Sequence, residues 1–216
     1  MALKAFIQGN EKFQNAFFKQ HEAEFLKLAN KGQNPKALFI GCSDSRVIPD
    51  LILQSKPGDL FVVRNVGNFI PPYNAVEDYH GTASAIEYAV EILNVSEIIV
   101  CGHSHCGACE CLYYPAEKFS HLIHIKKWLT IGEKAKNMAM AQLSTNTDHQ
   151  ALLRLTEKMS VITQLEQLLT YPFIAKRMKE ETLFIHGWYY DIETGNIDYF
   201  DPESYQFLPL SELLSL

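Results

Sequence analysis

Long hydrophobic runs are missing from this chain. No apolar stretch in the 216 residues approaches the roughly 18 that a bilayer-spanning helix requires, which argues against a membrane protein. A surplus of positive charge is missing too. Nineteen Lys and Arg stand against 25 Asp and Glu, for a formal net charge of -6, so neither nucleic acid nor an anionic membrane is an expected partner. Internal repeats, low-complexity tracts and linker-like stretches are absent. The expectation is therefore one domain over residues 1–216, with residues 1–32 as a helical arm. The opening residues, Met1-Ala-Leu-Lys-Ala-Phe-Ile-Gln-Gly9, turn polar too soon for a secretory signal, and a cytoplasmic location is expected. Cysteine is sparse and odd in number, five in all. In a reducing compartment that favours metal ligation or inert burial over a disulfide framework.

What is present is a globular composition, 47% hydrophobic and 20% charged, arranged as alternating strand-like and helix-like segments. Residues 3–30 carry Phe6, Phe13, Phe17, Phe18, Phe25 and Leu28 among charged residues, with a stop at Asn30-Lys-Gly32. These aromatics exceed what a free surface helix carries. The first expectation is that they pack on the domain's own core, the second that they pack on a partner subunit. Near-continuous apolar runs predict strands at 37–41, 60–64 and 97–101, each buried on both faces. Pro57-Gly58-Asp59 marks a turn between the first two. Thr82 to Leu93 places Ala83, Ile86, Ala89, Val90 and Leu93 on one helical face. Helical spacing recurs at 123–140 and 151–169, separated by the polar stretch 144–148, and Tyr171-Pro172 breaks the second of these. A further strand at 183–190, a turn at 193–196 and a short strand at 197–200 predict a closing hairpin. The fold class is α/β: a mostly parallel central sheet with flanking helices, an N-terminal helical arm and a C-terminal antiparallel hairpin strand.

Two of these strands end in metal-type ligands. Ala37-Leu-Phe-Ile-Gly41 is followed by Cys42, Asp44 and Arg46, and Ile98-Ile-Val-Cys-Gly102 is followed by His103 and Cys106. Strand ends in a parallel sheet let distant sequence converge on one site. Zinc prefers nitrogen and sulfur donors, and a catalytic zinc keeps three protein ligands with one open position. Cys42, His103 and Cys106 supply that set. A local alternative draws on His103 or His105 with Cys106, Cys109 and Cys111, as a closed structural knuckle, but it leaves Cys42 and the Asp44–Arg46 pair without a purpose. Cys101 reads as a small core residue, Cys109 and Cys111 as helix residues packed on the sheet, and His105 as solvent-facing or hydrogen-bonded.

Cys42-Ser-Asp-Ser-Arg46, Pro57-Gly58, Arg64-Asn65-x-Gly67-Asn68, Glu87-Tyr88-Ala89, Gly102-His103-Ser-x-Cys106-Gly107 and His186-Gly187-Trp188 together resemble the bacterial β-class carbonic anhydrases. The resemblance spans residues 33–190. It implies one zinc per chain and reversible hydration of carbon dioxide to bicarbonate and a proton. It also implies a homodimer or a dimer of dimers, with clefts at the subunit interface. In that chemistry Asp44 orients the zinc-bound hydroxide that attacks carbon dioxide, and Arg46 holds Asp44. If Arg46 lets go, Asp44 can itself reach the zinc and shut the site. The residue-by-residue match puts Gln33, Phe61 and Tyr88 in the substrate pocket with Val66, Gly67 and Gly102, and gives the Gln33 amide a substrate or product oxygen to bond. Family members with a regulatory bicarbonate pocket carry Trp where this chain has Phe39, which has no indole N–H to donate, so that pocket is not expected. Two other functions share these residues: hydrolysis of carbonyl sulfide or carbon disulfide on the same scaffold, and non-catalytic zinc binding or redox sensing through the spare thiols.

Overall fold

The computed structural model of the chain describes residues 2–76, 79–143 and 148–215. Its centre is a six-stranded sheet in the order β2-β1-β3-β4-β5-β6. The strands are β1 (Ala37–Cys42), β2 (Leu60–Asn65), β3 (Glu97–His103), β4 (Phe184–Tyr190), β5 (Ile197–Asp201) and β6 (Gln206–Pro209). The first four in spatial order run parallel, and β5 and β6 close the sheet antiparallel. The expected hairpin strand is there, and β6 extends the meander beyond it.

β1 and β3 lie inside the sheet, and every residue of β1 is buried, as its unbroken apolar run predicts. β2 departs from the expectation. It is an edge strand with β1 as its one neighbour, and its residues are half-buried or exposed, Val62 among the exposed ones. Its apolar sequence matches that of a central strand, but among the described residues no strand pairs with its outer edge.

The main core lies between one face of the sheet and its crossover helices. Leu38, Ile40, Ile98 and Val100 from the strands meet Ile86, Ala89 and Val90 from α4 (Gly81–Glu87) and the π-helical turn that continues it over Tyr88–Ile92. That helix carries the apolar face foreseen for it. Each such fully buried aliphatic side chain contributes about 1.5–3 kcal/mol. The opposite face packs Phe39, Ile99 and Cys101 against Trp188 and Tyr190.

The predicted helix at 123–140 is two helices, α6 (Ile123–Leu129) and α7 (Glu133–Gln142), joined by a 3-10 turn at Thr130–Gly132. Gly132 sits so close to the Phe69 ring that a Cβ would lie 2.8 Å from it, so the break lets the chain cross that ring. Part of the polar separator expected at 144–148 falls outside the described residues. Beyond it α8 (His149–Leu168) has an uninterrupted buried run from Met159 to Gln164, and it is covered around much of its circumference. Tyr171-Pro172 ends that helical segment as expected and starts a short one, α9 (Pro172–Lys179). The further short helices include α3 (Pro49–Leu53), α5 (Gly107–Cys111) and 3-10 turns at Val66–Asn68, Ala116–Phe119 and Leu210–Ser215.

The arm is helical, as α1 (Ala2–Phe13), a π-helical turn (Gln14–Phe18) and α2 (Glu22–Lys31). Its aromatics do not pack on the domain's core, which corrects the first expectation. Phe13, Phe17, Phe18 and Phe25 stack on one another with ring centroids 5.1–6.5 Å apart, while Phe6 is 73% exposed. Leu28 touches the domain, resting on Gly58 in the predicted turn.

α8 reaches the sheet through two glycine notches. A Cβ on Gly102 would lie 2.6 Å from Val161 Cγ2, and one on Gly187 would lie 2.9 Å from both Val161 Cγ1 and Leu165 Cδ1. Overpacking of this kind costs about 1–3 kcal/mol. Gly187→Ala should therefore lower the denaturant midpoint by that equivalent, whereas Gly9→Ala, with open space around it, should not. Equal midpoints for wild type and Gly187→Ala would show that α8 does not press on the sheet as described.

Candidate metal centre

β1 and β3 pair in parallel with Gly41 level with Cys101, so Cys42 and His103 leave the sheet at the same end. Cys106 follows one short turn later, at the N-cap of α5. All three are buried, and their ligating atoms lie within 4.8 Å of one another. Among the described residues they are the one His, Cys, Asp and Glu group of three or more so gathered, and Cys109 and Cys111 stand outside it.

Each ligand is oriented by the backbone around it. Cys42 Sγ accepts the N–H of Asp44 at 3.4 Å and of Gly67 at 3.3 Å. Gly67 has φ +81, and a Cβ there would lie 2.8 Å from Ala108 Cβ, so both its conformation and its surroundings require glycine. His103 Nδ1 donates to the Ser104 carbonyl at 2.8 Å. That bond assigns the proton to Nδ1 and leaves Nε2 with a free lone pair. Nε2 is buried and has no hydrogen-bond partner. An orphaned imidazole nitrogen beside two thiols fits a soft, tetrahedral ion such as zinc. Without an ion, the neighbouring Cys106 thiol and then burial push the Cys42 thiol up to about 12, and the Cys109 thiol beside it, together with burial, pushes Cys106 up as well. A cation therefore has to displace protons to bind here.

Asp44 and Arg46 form the expected pair. Asp44 Oδ1 accepts from the Arg46 backbone N–H at 3.0 Å and from Nε at 2.9 Å, and Oδ2 accepts from Nη2 at 2.7 Å. The Arg46 guanidinium holds the Asp44 carboxyl well below the usual carboxylate range. Arg46 Nη2 also donates to the His105 carbonyl at 2.9 Å, which ties the carboxylate's holder to the ligand turn. Arg64 reaches across from β2 to the carbonyls of Cys42, at 2.9 Å, and Asp44, at 2.6 Å.

The expected pocket residues divide into two groups. Val66, Gly67 and Gly102 lie beside the ligands. Phe61 and Tyr88 stack with centroids 5.8 Å apart, but at the other end of the sheet. Phe61 is level with Leu38, and Asn65 with Cys42, a separation of about 13 Å along the strand. Gln33 precedes β1 at that same far end. The structure does not bring these three to the Cys42 site of their own chain. A groove of about 1060 Å³ opens beside Ser43, Asn65 and Val66 and runs past His80, Trp128 and Ile131. Trp128 Nε1 donates to the Val66 carbonyl at 2.7 Å, fixing one wall. Cys101 is a buried core residue and His105 is exposed with Nε2 3.0 Å from Glu193 Oε1, both as expected, whereas Cys109, buried, and Cys111, half-buried, lie on a helix whose main neighbours are α8 and the turn after β2.

Sequence reasoning passed over Glu157. It lies on α8 and is buried, with burial pushing its carboxyl up to about 7, and it accepts the Cys106 backbone N–H at 2.9 Å. The available signal was an acid four residues from each of two buried aliphatic positions of one helix, Leu153 and Val161.

Residues 37–197 match the family model described as carbonic anhydrase. The chain belongs to the β-carbonic anhydrase family of enzymes. A carbonic anhydrase of Synechocystis is 40% identical over 215 residues, covering 99% of this chain and 77% of the relative. Among solved structures, the β-carbonic anhydrase CcaA superposes with a TM-score of 0.91 at 39% identity, covering 97% of this chain and all of that one. A tetrameric β-carbonic anhydrase from the filamentous ascomycete Sordaria macrospora gives a TM-score of 0.81 at 30% identity, covering 92% and 96%. Cys42→Ser should lose most of the metal that the wild type binds while the fold is kept, as read by metal analysis and circular dichroism. Full zinc occupancy in that variant would point to the local Cys106–Cys111 set instead.

Proposed function

We propose that the chain catalyses reversible hydration of carbon dioxide to bicarbonate and a proton, using one zinc held by Cys42, His103 and Cys106. The observation that carries this is the buried, unpartnered Nε2 of His103 grouped with two thiols, next to a carboxylate already engaged by arginine. Bound zinc supplies the acidification of water that the reaction needs near neutral pH.

The protein's own groups do the rest. Asp44 Oδ1 has both lone pairs engaged by Arg46, whereas Oδ2 accepts one hydrogen bond and keeps one lone pair. Oδ2 is thus the atom that accepts a hydrogen from the attacking water and turns its lone pair to the substrate carbon. Arg46 keeps Asp44 ionised and away from the open ligand position. The two thiolates offset the ion's charge and weaken its effect on water relative to a three-imidazole set, for which the pKa of water is about 7. Activity therefore rises towards alkaline pH.

The separated pocket residues support an assembly. Phe61, Tyr88 and Gln33 serve the site of a second copy, and Val66, Gly67 and Gly102 serve their own. Tyr88 is 44% exposed on a single chain, β2 presents an uncovered edge, and the arm's aromatics lack a core partner. All three features fit a homodimer or a dimer of dimers in which the arm lies on the neighbour. A regulatory bicarbonate pocket is not part of this reading. Phe39 is packed beside Trp188, and Arg64 is committed to two carbonyls of the metal loop.

Stopped-flow hydration of carbon dioxide, on a sample whose zinc content and mass are measured together, tests the proposal. The expected result is rapid turnover that climbs from mildly acid to alkaline buffer, in particles of two or four chains. Asp44→Asn should keep its zinc and lose most of the turnover. A zinc-loaded wild type without hydration activity, or a fully active monomer, contradicts the reading.

A further inference from the structure

The ligand turn His103–Cys106 does not hold itself in place. His105 sits at φ +59, in the left-handed region, and α5, which follows, is five residues long. The turn is tied down from outside at successive positions. Ser104 N–H donates to the Tyr190 carbonyl at 2.9 Å, and Ser104 Oγ donates to Asp191 Oδ1 at 3.1 Å. The His105 carbonyl accepts from Arg46 at 2.9 Å. For the Cys106 N–H, the acceptor among the described residues is Glu157 Oε1.

Glu157 is 2% exposed and receives donors from three directions. Besides Cys106 N–H, Arg154 Nη2 donates to Oε1 at 2.8 Å and Tyr189 Oη donates to Oε2 at 2.8 Å. Both carboxyl oxygens of Glu157 act as acceptors here, from a peptide N–H, a guanidinium and a phenol. Burying an ion pair is rarely the most stabilising choice, and an apolar side chain of similar volume is often neutral or better. Such a side chain would leave the Cys106 N–H unpaired.

We infer that Glu157 is a positioning residue for the metal: it holds the Cys106 peptide so that its Sγ enters the site at the angle Cys42 and His103 require. This rests on the three-ligand reading above. Groups that orient metal ligands from behind are worth about 10- to 100-fold in metal affinity when removed, and Glu157 acts on a backbone N–H where such groups more often act on an imidazole.

Gln164 provides the control. It lies on the same helix, is fully buried, and its Oε1 accepts the Ile70 N–H at 2.6 Å, a bond that does not touch the ligand turn. Zinc transfer to a chelator and the visible spectrum of the Co2+-substituted protein should be compared for wild type, Glu157→Ala, Glu157→Asp, Glu157→Gln and Gln164→Ala. Glu157→Ala should weaken zinc binding about 10- to 100-fold in competition with the chelator and alter the thiolate-to-cobalt bands. Glu157→Asp, whose acceptor is withdrawn by one methylene, should shift both in the same direction, and it decides the matter if the alanine variant does not fold. Glu157→Gln retains an acceptor for the N–H and should stay near wild type. Gln164→Ala should lower thermal stability and leave both readouts unchanged. Wild-type zinc retention and an unshifted cobalt spectrum in whichever of Glu157→Ala and Glu157→Asp folds overturn the inference, as does equal zinc loss from Gln164→Ala. A wild type that binds no stoichiometric metal overturns the three-ligand reading itself.

Discussion

The parallel pairing of β1 with β3 is the constraint on which the site depends. It sets Gly41 level with Cys101, so a thiol and an imidazole that are 61 residues apart in the chain leave the sheet side by side. A shift of one residue would turn Cys42 to the opposite face of the sheet. That register is held by burial on both faces of β1, through Leu38 and Ile40 on one side and Phe39 on the other. The apolar core and the ligand geometry are in this sense one requirement.

Past the strand ends, the backbone turns irregular, and polar groups take over from apolar packing. Gly67, Arg64, Arg46 and Glu157 each satisfy a backbone or thiol group of the two ligand loops, and Asp191 accepts the Ser104 hydroxyl. Such groups are costly to leave unpaired when buried. They come from β2, from the loop after β1, from the end of β4 and from α8. Arg46 serves both loops at once, since it holds the Asp44 carboxylate and the His105 carbonyl. α8 can contribute because Gly102 and Gly187 let it approach the sheet, which brings Glu157 within reach of the ligand turn.

The sequence showed the ligands clearly because their chemistry is local: a thiol or imidazole directly after an apolar run that ends in glycine needs little tertiary context to be noticed. It also showed the strands, the 82–93 helix and the final hairpin. The edge position of β2 was hidden, because Phe61-Val62-Val63 reads the same whether a neighbour covers it or not. The arm's phenylalanines were first assigned to the core for a related reason. Amphipathic spacing states that a face is covered, not by what. Gln33, Phe61 and Tyr88 came from family resemblance, and only the register shows that they lie at the far end of their own sheet. Glu157 was passed over because nothing in its local sequence identifies the backbone N–H that it accepts some fifty residues away.

X-ray absorption at the zinc edge tests the central claim most directly, because it counts the atoms around the ion. The account predicts two sulfurs at about 2.3 Å and one imidazole nitrogen at about 2.0–2.1 Å, completed by a single light atom. A shell with three or more sulfurs, as the Cys106–Cys111 segment would give, or with no sulfur, would contradict it.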